Sequence, residues 1–203
     1  MTVLTDILIG MGIARDVCLS HDDADDVNPE VATRLLLPHD ADPSTSEVDE
    51  IPRERFVGRG VVVRAAGIDA REVVTFASIA DQIEDVAPGD IVLFDTGWSR
   101  LHVGSERADA DYAQNHPTLE PGIIAALLVR GVLAVGIDTP RLDPPELKPG
   151  PCAHMLAAAS GILCVNLTNL DEIDGSGPLI SVSPGAHLTR TSLRVDVTAV
   201  ALG

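Results

Sequence analysis

The stretch IVLFDTGW, Ile91 to Trp98, decides the fold class. Its first four residues, IVLF, are all apolar, which is typical of a strand that is buried on both faces. The runs GVVVRAA (60–66) and VLAVGID (132–138) repeat this pattern on either side of it. Apolar groups at helical spacing fill the intervals at 71–86 and 119–130. Strands that alternate with helices predict an α/β fold in which helices flank a mixed sheet.

Shorter elements complete the prediction. A helical turn over 48–58, a helix over 152–160, strands over 162–165 and 179–182, and an alternating end strand over 192–202 are expected. The strands are too few for a TIM barrel and too prominent for a helical bundle. No repeat or long linker divides the chain, so the sequence predicts one domain over residues 1–203.

Composition excludes several classes of protein. The formal net charge is −17, from 31 acidic and 14 basic residues, and this charge disfavours contact with nucleic acid or anionic membranes. Aromatic residues make up only 2% of the chain, so stacking on bases is an unlikely use of the surface. The expected partner is a small-molecule substrate.

Cysteine usage and the N-terminus bear on location. Cys18, Cys152 and Cys164 form no CxxC pair, which favours a reducing compartment. The start of the chain has no basic segment before its apolar run, and no stretch has the roughly 18 apolar residues of a membrane span. The sequence therefore predicts a soluble cytoplasmic protein.

Polar groups that follow buried strands are the first candidates for a site, since α/β proteins bind ligands there. Thr96 and Trp98 follow one strand, and Asp138 follows another. His39 and His154 are candidate acid/base groups because histidine titrates near neutral pH. Any one of these histidines alone is more often structural. Trp98 fits a core anchor and a pocket wall equally well.

Five stretches carry a family resemblance. They are VDEIPRERFVG (48–58), GDIVLFDTGWSR (89–100), NHP (115–117), LEPGIIAALLVRGVLAVGIDTPRLDP (119–144) and HMLAAASGILCVNLTNLDEI (154–173). In this order they resemble the cyclase family of kynurenine-formamidase-like hydrolases. The resemblance runs from about His39 to the C-terminus.

The resemblance implies a swivelling β/β/α-type fold in homodimers or homotetramers. Members of the family open amides and lactams, and some act in polyketide pathways. It also implies a divalent metal, such as zinc or manganese, held by an HxGTHxDxPxH motif with a downstream His and Glu.

This chain departs from the metal motif. With His39 aligned on the last His of the motif, the ligand positions fall on Pro29, Thr33 and Leu35, and the downstream Glu is replaced by Val165. None of these side chains can replace imidazole or carboxylate at such an ion. His154 matches the downstream His. The acidic run HDDADD (21–26) could instead form a relocated metal site or be a solvated loop.

The leading hypothesis is therefore an enzyme of specialised, biosynthetic metabolism that uses no metal cofactor. His39 and His154 would act as general acid and base, and Asp138 would orient the substrate or a histidine. The expected chemistry is cyclisation, dehydration or ring opening of a carbonyl-containing substrate. The candidate substrate-binding residues are Trp98, Thr96, Arg100, Tyr112, His116, Thr139 and Arg141.

Two alternatives stay open from the sequence. One is a metal-dependent amide or lactam hydrolase of the kynurenine formamidase type. The other is a catalytically silent homologue that binds a small molecule.

Overall fold

The computed structural model describes residues 9–10, 14–21, 32–36, 51–65, 67–102, 106–132, 134–173, 177–189 and 192–202. Ten strands lie in this part of the chain. They are β1 (Ala14–Cys18), β2 (Arg34–Leu36), β3 (Val57–Arg64), β4 (Val73–Val74), β5 (Ile91–Asp95), β6 (Thr118–Leu119), β7 (Ala134–Ile137), β8 (Ile162–Val165), β9 (Leu179–Thr189) and β10 (Ser192–Leu202).

The main sheet is mixed and closes on itself. Its strand order is β1-β10-β2-β8-β7-β5-β3-β9. Four adjacent strands run parallel to one another: β3, β5, β7 and β8. The strands on either side of this group are antiparallel to it, since β2 pairs with β8 and β9 pairs with β3. Because β9 also pairs with β10, the outcome is a barrel-like core. The short strands β4 and β6 form a separate parallel pair.

Side chains on the two faces of the sheet fill two cores. Ile91 and Leu93 of β5 point into the barrel, where they join apolar residues from the other strands. Val92 and Phe94 point outward into the layer between sheet and helices. The period of two along a strand therefore buries every residue of β5. This confirms the mixed α/β fold that the sequence predicts.

Four α-helices have both ends within the described residues: α1 (Phe76–Ile79), α2 (Glu106–Asn115), α3 (Pro121–Val129) and α4 (Pro151–Ala158). Proline occupies the first turn of α3 and of α4, where its missing N–H costs no intrahelical bond. The carboxylate of Asp143 accepts hydrogen bonds from the N–H groups of Cys152 (2.8 Å) and Ala153 (2.9 Å) and so fixes the start of α4. Helix α3 packs against α4.

Some predicted elements differ from the structure. The helix expected over 71–86 is wrong in its first part, because Val73 and Val74 form β4, and only α1 and a 3-10 turn at Ala80–Ile83 are helical. Trp98, expected at the end of a strand, begins a 3-10 turn, since Gly97 has a φ of 75°.

Other elements have no counterpart among the expectations. Helix α2 is strongly polar, and β2 has only three residues, so neither shows a clear period. The single domain over 1–203 stays a prediction. In the described residues, no helix has the length and apolar character needed to cross a bilayer.

Candidate functional site

The candidate site lies at the rim where the parallel strands β5, β7 and β8 end. Thr96 follows β5, Asp138 follows β7, and Asn166 follows β8. The carboxyl ends of adjacent parallel strands share one edge, and that edge is where α/β folds bind ligands. The backbone N–H of Asn166 donates to the carbonyl of Thr139 (2.9 Å), which ties two of these strand ends together.

Asp138 is the centre of this rim. Its side chain is fully buried. One carboxylate oxygen accepts from the Thr96 N–H (3.1 Å) and the Thr96 hydroxyl (2.7 Å), and the other accepts from the N–H groups of Trp98 (2.9 Å) and Ser99 (3.5 Å). Burial raises the pKa of Asp138 to about 6, although the hydrogen bonds from Thr96 oppose that rise. Asp138 therefore holds the turn that contains Trp98.

Trp98 and Tyr112 continue the network. The indole N–H of Trp98 donates to the carbonyl of Tyr112 (3.0 Å). The Tyr112 hydroxyl lies 2.9 Å from the Asp138 carbonyl oxygen and 3.0 Å from the Asn166 side-chain oxygen. Both aromatic side chains are buried. The structure thus brings together Thr96, Trp98, Tyr112 and Asp138, which the sequence singled out separately.

Tyr112→Phe tests this network. The variant keeps the ring but removes the hydroxyl that lies between the Asp138 carbonyl and Asn166, so we expect the free energy of unfolding to fall by about 1–3 kcal/mol. Urea titration measures the change. A double-mutant cycle with Asn166→Ala should give a coupling free energy of about 0.5 kcal/mol or more. Strict additivity would contradict the described contact.

Two histidines join the rim: His21, the first residue of the acidic run, and His102, which the sequence analysis did not single out. The ring centroids of His21 and His102 are 4.5 Å apart, and His102 meets Tyr112 edge-on at 5.6 Å. The backbone N–H of His21 donates to the Thr33 hydroxyl (3.0 Å), which in turn donates to the Asn166 carbonyl (2.7 Å). The two histidines are 81 positions apart and no motif links them, so no sequence signal could have paired them.

Three more candidate residues follow elements that contribute to this rim. Thr139 and Arg141 lie in the loop after β7, and His116 directly follows α2. The buried Thr139 hydroxyl donates to the Arg141 carbonyl (2.7 Å) and thus braces the loop after β7. His116 is fully buried, and its Nδ1 lies 2.9 Å from the Pro117 carbonyl. Burial lowers the pKa of His116, so this imidazole is neutral at pH 7.

The structure does not place the remaining predicted residues in this network. Arg100 is exposed and pairs with Asp171 at 2.9 Å. His154 is exposed on the first turns of α4, and its side chain makes no hydrogen bond to the Asp138 network within the described residues. His39 and the acidic residues 22–26 lie outside the described residues.

Strand geometry bears directly on the metal motif. Leu35 points into the barrel, where it packs with apolar residues from other strands. Val165 packs instead in the outer layer, beneath the helices. Leu35 therefore faces away from Val165, so these two positions could not coordinate the same ion.

Aligning the metal motif one residue further along the chain places two of its ligand positions on the same face of the sheet as Val165. Arg34 lies directly opposite Val165 across β2 and β8, and Leu36 packs in the same outer layer. This register also places Thr33 on the Thr of the motif and Pro38 on its Pro. The ligand positions then fall on Glu30, Arg34 and Leu36, and the last His on Asp40, the neighbour of His39.

The described residues of this face do not fit a divalent metal. Arg34 is a cation, and Leu36 and Val165 are apolar, so none of them can coordinate the ion. No three His, Cys, Asp or Glu side chains within the described ranges stand close enough to hold one. Glu30 and Asp40 lie outside these ranges.

The comparisons with known proteins agree with the fold. A family model described as "Putative cyclase" matches residues 18–144. Isatin hydrolase A from Labrenzia aggregata, bound to benzyl benzoate, is similar with a TM-score of 0.81 and 21% identity over 100% of both chains. Isatin hydrolase A from Ralstonia solanacearum has a TM-score of 0.81 and 19% identity over 99% of this chain and 98% of its own.

Proposed function

The chain belongs to the cyclase family, and on that premise we propose that this enzyme transforms a small carbonyl-containing substrate by histidine acid/base chemistry without a divalent metal. The reaction is a cyclisation, a dehydration or the opening of an activated ring in specialised metabolism. One observation carries the proposal: the face that bears Val165 presents the guanidinium of Arg34 and the apolar side chain of Leu36.

The charge of Arg34 weighs against a metal on electrostatic grounds. A divalent cation and a guanidinium on the same buried face repel each other, and burial weakens the screening by water. Apolar groups at Leu36 and Val165 supply no ligand to offset this repulsion. A bound metal would activate water for attack on an amide. A histidine acting as general base can deprotonate water that attacks an already activated ring carbonyl, and its proton then goes to the leaving nitrogen; cyclisation and dehydration use no external water as nucleophile.

The roles of the residues follow from their placement. His154 lies on α4, which packs against β8, and is open to solvent, so its imidazole is accessible for proton exchange. His39 is the second proposed acid/base group. Asp138 acts as a positioning residue, because all its described bonds hold Thr96, Trp98 and Ser99 in place.

A metal-dependent lactam hydrolase is the second candidate. Its support is the fold likeness to proteins named isatin hydrolases and to one described as a potential metal-dependent hydrolase with cyclase activity. In this case the ligands would come from residues such as Glu30, Asp40 or the acidic run 22–26.

Isatin, a cyclic amide, distinguishes the two candidates. The opening of isatin is measured by the change in absorbance. We expect manganese chloride not to increase the rate of opening, and excess EDTA not to decrease it. Opening should fall at least about 100-fold in His154→Ala and in His39→Ala, because these groups transfer the protons. The exposed variant Glu84→Ala is the control. Turnover that appears only with manganese would contradict the proposal and favour the hydrolase.

A further inference from the structure

Asn166 joins segments that are far apart in the chain. Its side-chain NH₂ group donates to the Ala32 carbonyl (2.8 Å), and its side-chain oxygen lies 3.0 Å from the Tyr112 hydroxyl. Its backbone N–H donates to the Thr139 carbonyl (2.9 Å), and its backbone carbonyl accepts from the Thr33 hydroxyl (2.7 Å). The residue is fully buried. Asn166 therefore connects the start of β2, the loop after β7 and helix α2.

The backbone of Asn166 is strained. Its φ of 57° lies in the left-handed region, which costs a residue with a side chain about 1–3 kcal/mol. Such a conformation persists where the surrounding structure holds it, and it is typical of functional sites. Glycine would adopt the same backbone more easily, but it would leave the buried Ala32 carbonyl without this donor. Asparagine tolerates the left-handed region and also supplies a donor and an acceptor in one short side chain.

We propose that Asn166 is a positioning residue for the acid/base chemistry, because it fixes the start of β2 and helix α2 against the rim. The inference rests on the proposed function, in which His39 transfers protons. His39 follows Leu36, the last residue of β2, by three positions. A displacement of β2 therefore changes the point from which the segment that bears His39 starts. Asn166 acts on the reaction through these elements.

The contact with Tyr112 extends this role to the rim itself. The Tyr112 hydroxyl lies 2.9 Å from the Asp138 carbonyl oxygen, and the Tyr112 carbonyl accepts from the indole N–H of Trp98 (3.0 Å). Loss of the Asn166 side chain should therefore change the surroundings of Trp98 without removing any contact of Trp98. Displacement of reacting groups by about 1 Å can lower turnover about 100-fold. A positioning role predicts a fall in kcat, whereas uniform binding of substrate would affect KM.

Asn166→Gly tests the inference, because glycine keeps the backbone conformation and removes both side-chain contacts. Asn169→Gly is the matched control, since Asn169 has a φ of 55° and a half-buried side chain that donates to the Cys18 carbonyl (2.9 Å). The indole N–H resonance of Trp98, the only tryptophan, reports on the rim by NMR. We expect Asn166→Gly to shift this resonance and to lower kcat for isatin at least about tenfold, with KM changed less than about twofold. Asn169→Gly should leave the resonance, kcat and KM unchanged.

An unchanged Trp98 resonance in Asn166→Gly, or an unchanged kcat beside a shifted resonance, would overturn the inference. A rise in KM alone would also overturn it, since that result would assign Asn166 to binding. If Asn166→Gly does not fold, Thr33→Val decides by the same measurements, because valine keeps the shape of threonine and removes the hydroxyl that donates to the Asn166 carbonyl. Absence of turnover in the wild type bears on the proposed function, whereas the Trp98 resonance tests the placement by Asn166 without turnover.

Discussion

Asp138→Ala is expected to lower the free energy of unfolding by about 3 kcal/mol or more at pH 5. The variant leaves the buried N–H groups of Thr96 and Trp98 and the Thr96 hydroxyl without their acceptor. Each such loss costs about 1–3 kcal/mol. Ser99 loses a longer contact of 3.5 Å as well. The turn that carries Trp98 therefore loses the group that fixes it.

The size of this effect depends on pH. Burial raises the pKa of Asp138 to about 6 in the folded protein, from an ordinary value near 4. Between these values the folded state binds a proton that the unfolded state has released, so the free energy of unfolding falls as the pH rises from about 4 through 6. The alanine variant lacks this titration. The difference between wild type and variant should thus be smaller at pH 8 than at pH 5.

Urea unfolding at the two pH values measures both statements. Trp98 is the only tryptophan and begins the turn that Asp138 holds, so its fluorescence reports local order directly. Asp81→Ala, at an exposed position, should change stability by less than about 0.5 kcal/mol at either pH. A variant as stable as the wild type at pH 5 would refute the role assigned to Asp138.

Gly150→Ala is the second change with a large expected effect. A Cβ at this position would lie 2.2 Å from both Cβ and Cγ of Asp143. The buried Asp143 cannot move without releasing the N–H groups of Cys152 and Ala153. Overpacking and a lost helix cap together cost about 3 kcal/mol. The start of α4, which carries His154, should shift when Asp143 is displaced.

Gly122→Ala is the matched control, because its Cβ would meet only Glu120 at 3.5 Å, an ordinary contact. Alanine is the better helix former, so this variant should gain about 0.5–1 kcal/mol. Thermal unfolding separates the two variants, and far-UV circular dichroism checks the helix content. Similar melting temperatures for both would show that the space around Gly150 is not limiting.

The sequence could predict the parts of the fold that depend on local patterns. The apolar run at Ile91–Asp95 identified a strand buried on both faces, and the strand 162–165 was predicted with the bounds that the structure shows. Helix α2 was not predicted, because its residues are mostly polar and show no apolar periodicity. Its Tyr112 nevertheless brings a hydroxyl to the rim, a contact that no local pattern encodes.

The candidate site depended on pairing between distant strands. Thr33 and Leu35 were aligned with ligand positions by counting along the chain, but the pairing of β2 with β8 shows which residues share a face with Val165. Thr33 and Asn166 are 133 positions apart and become neighbours only through the pairing of β2 with β8. The same holds for His21 and His102. Tertiary pairing, and not residue type, decides these juxtapositions.

The metal content of the protein tests the central claim most directly. The chain is incubated with manganese or zinc, dialysed against metal-free buffer and measured by inductively coupled plasma mass spectrometry. Because Arg34, Leu36 and Val165 occupy the face that should coordinate the ion, we predict far less than one metal ion per chain. One tightly held manganese or zinc ion per chain would contradict the account and favour a metal-dependent hydrolase.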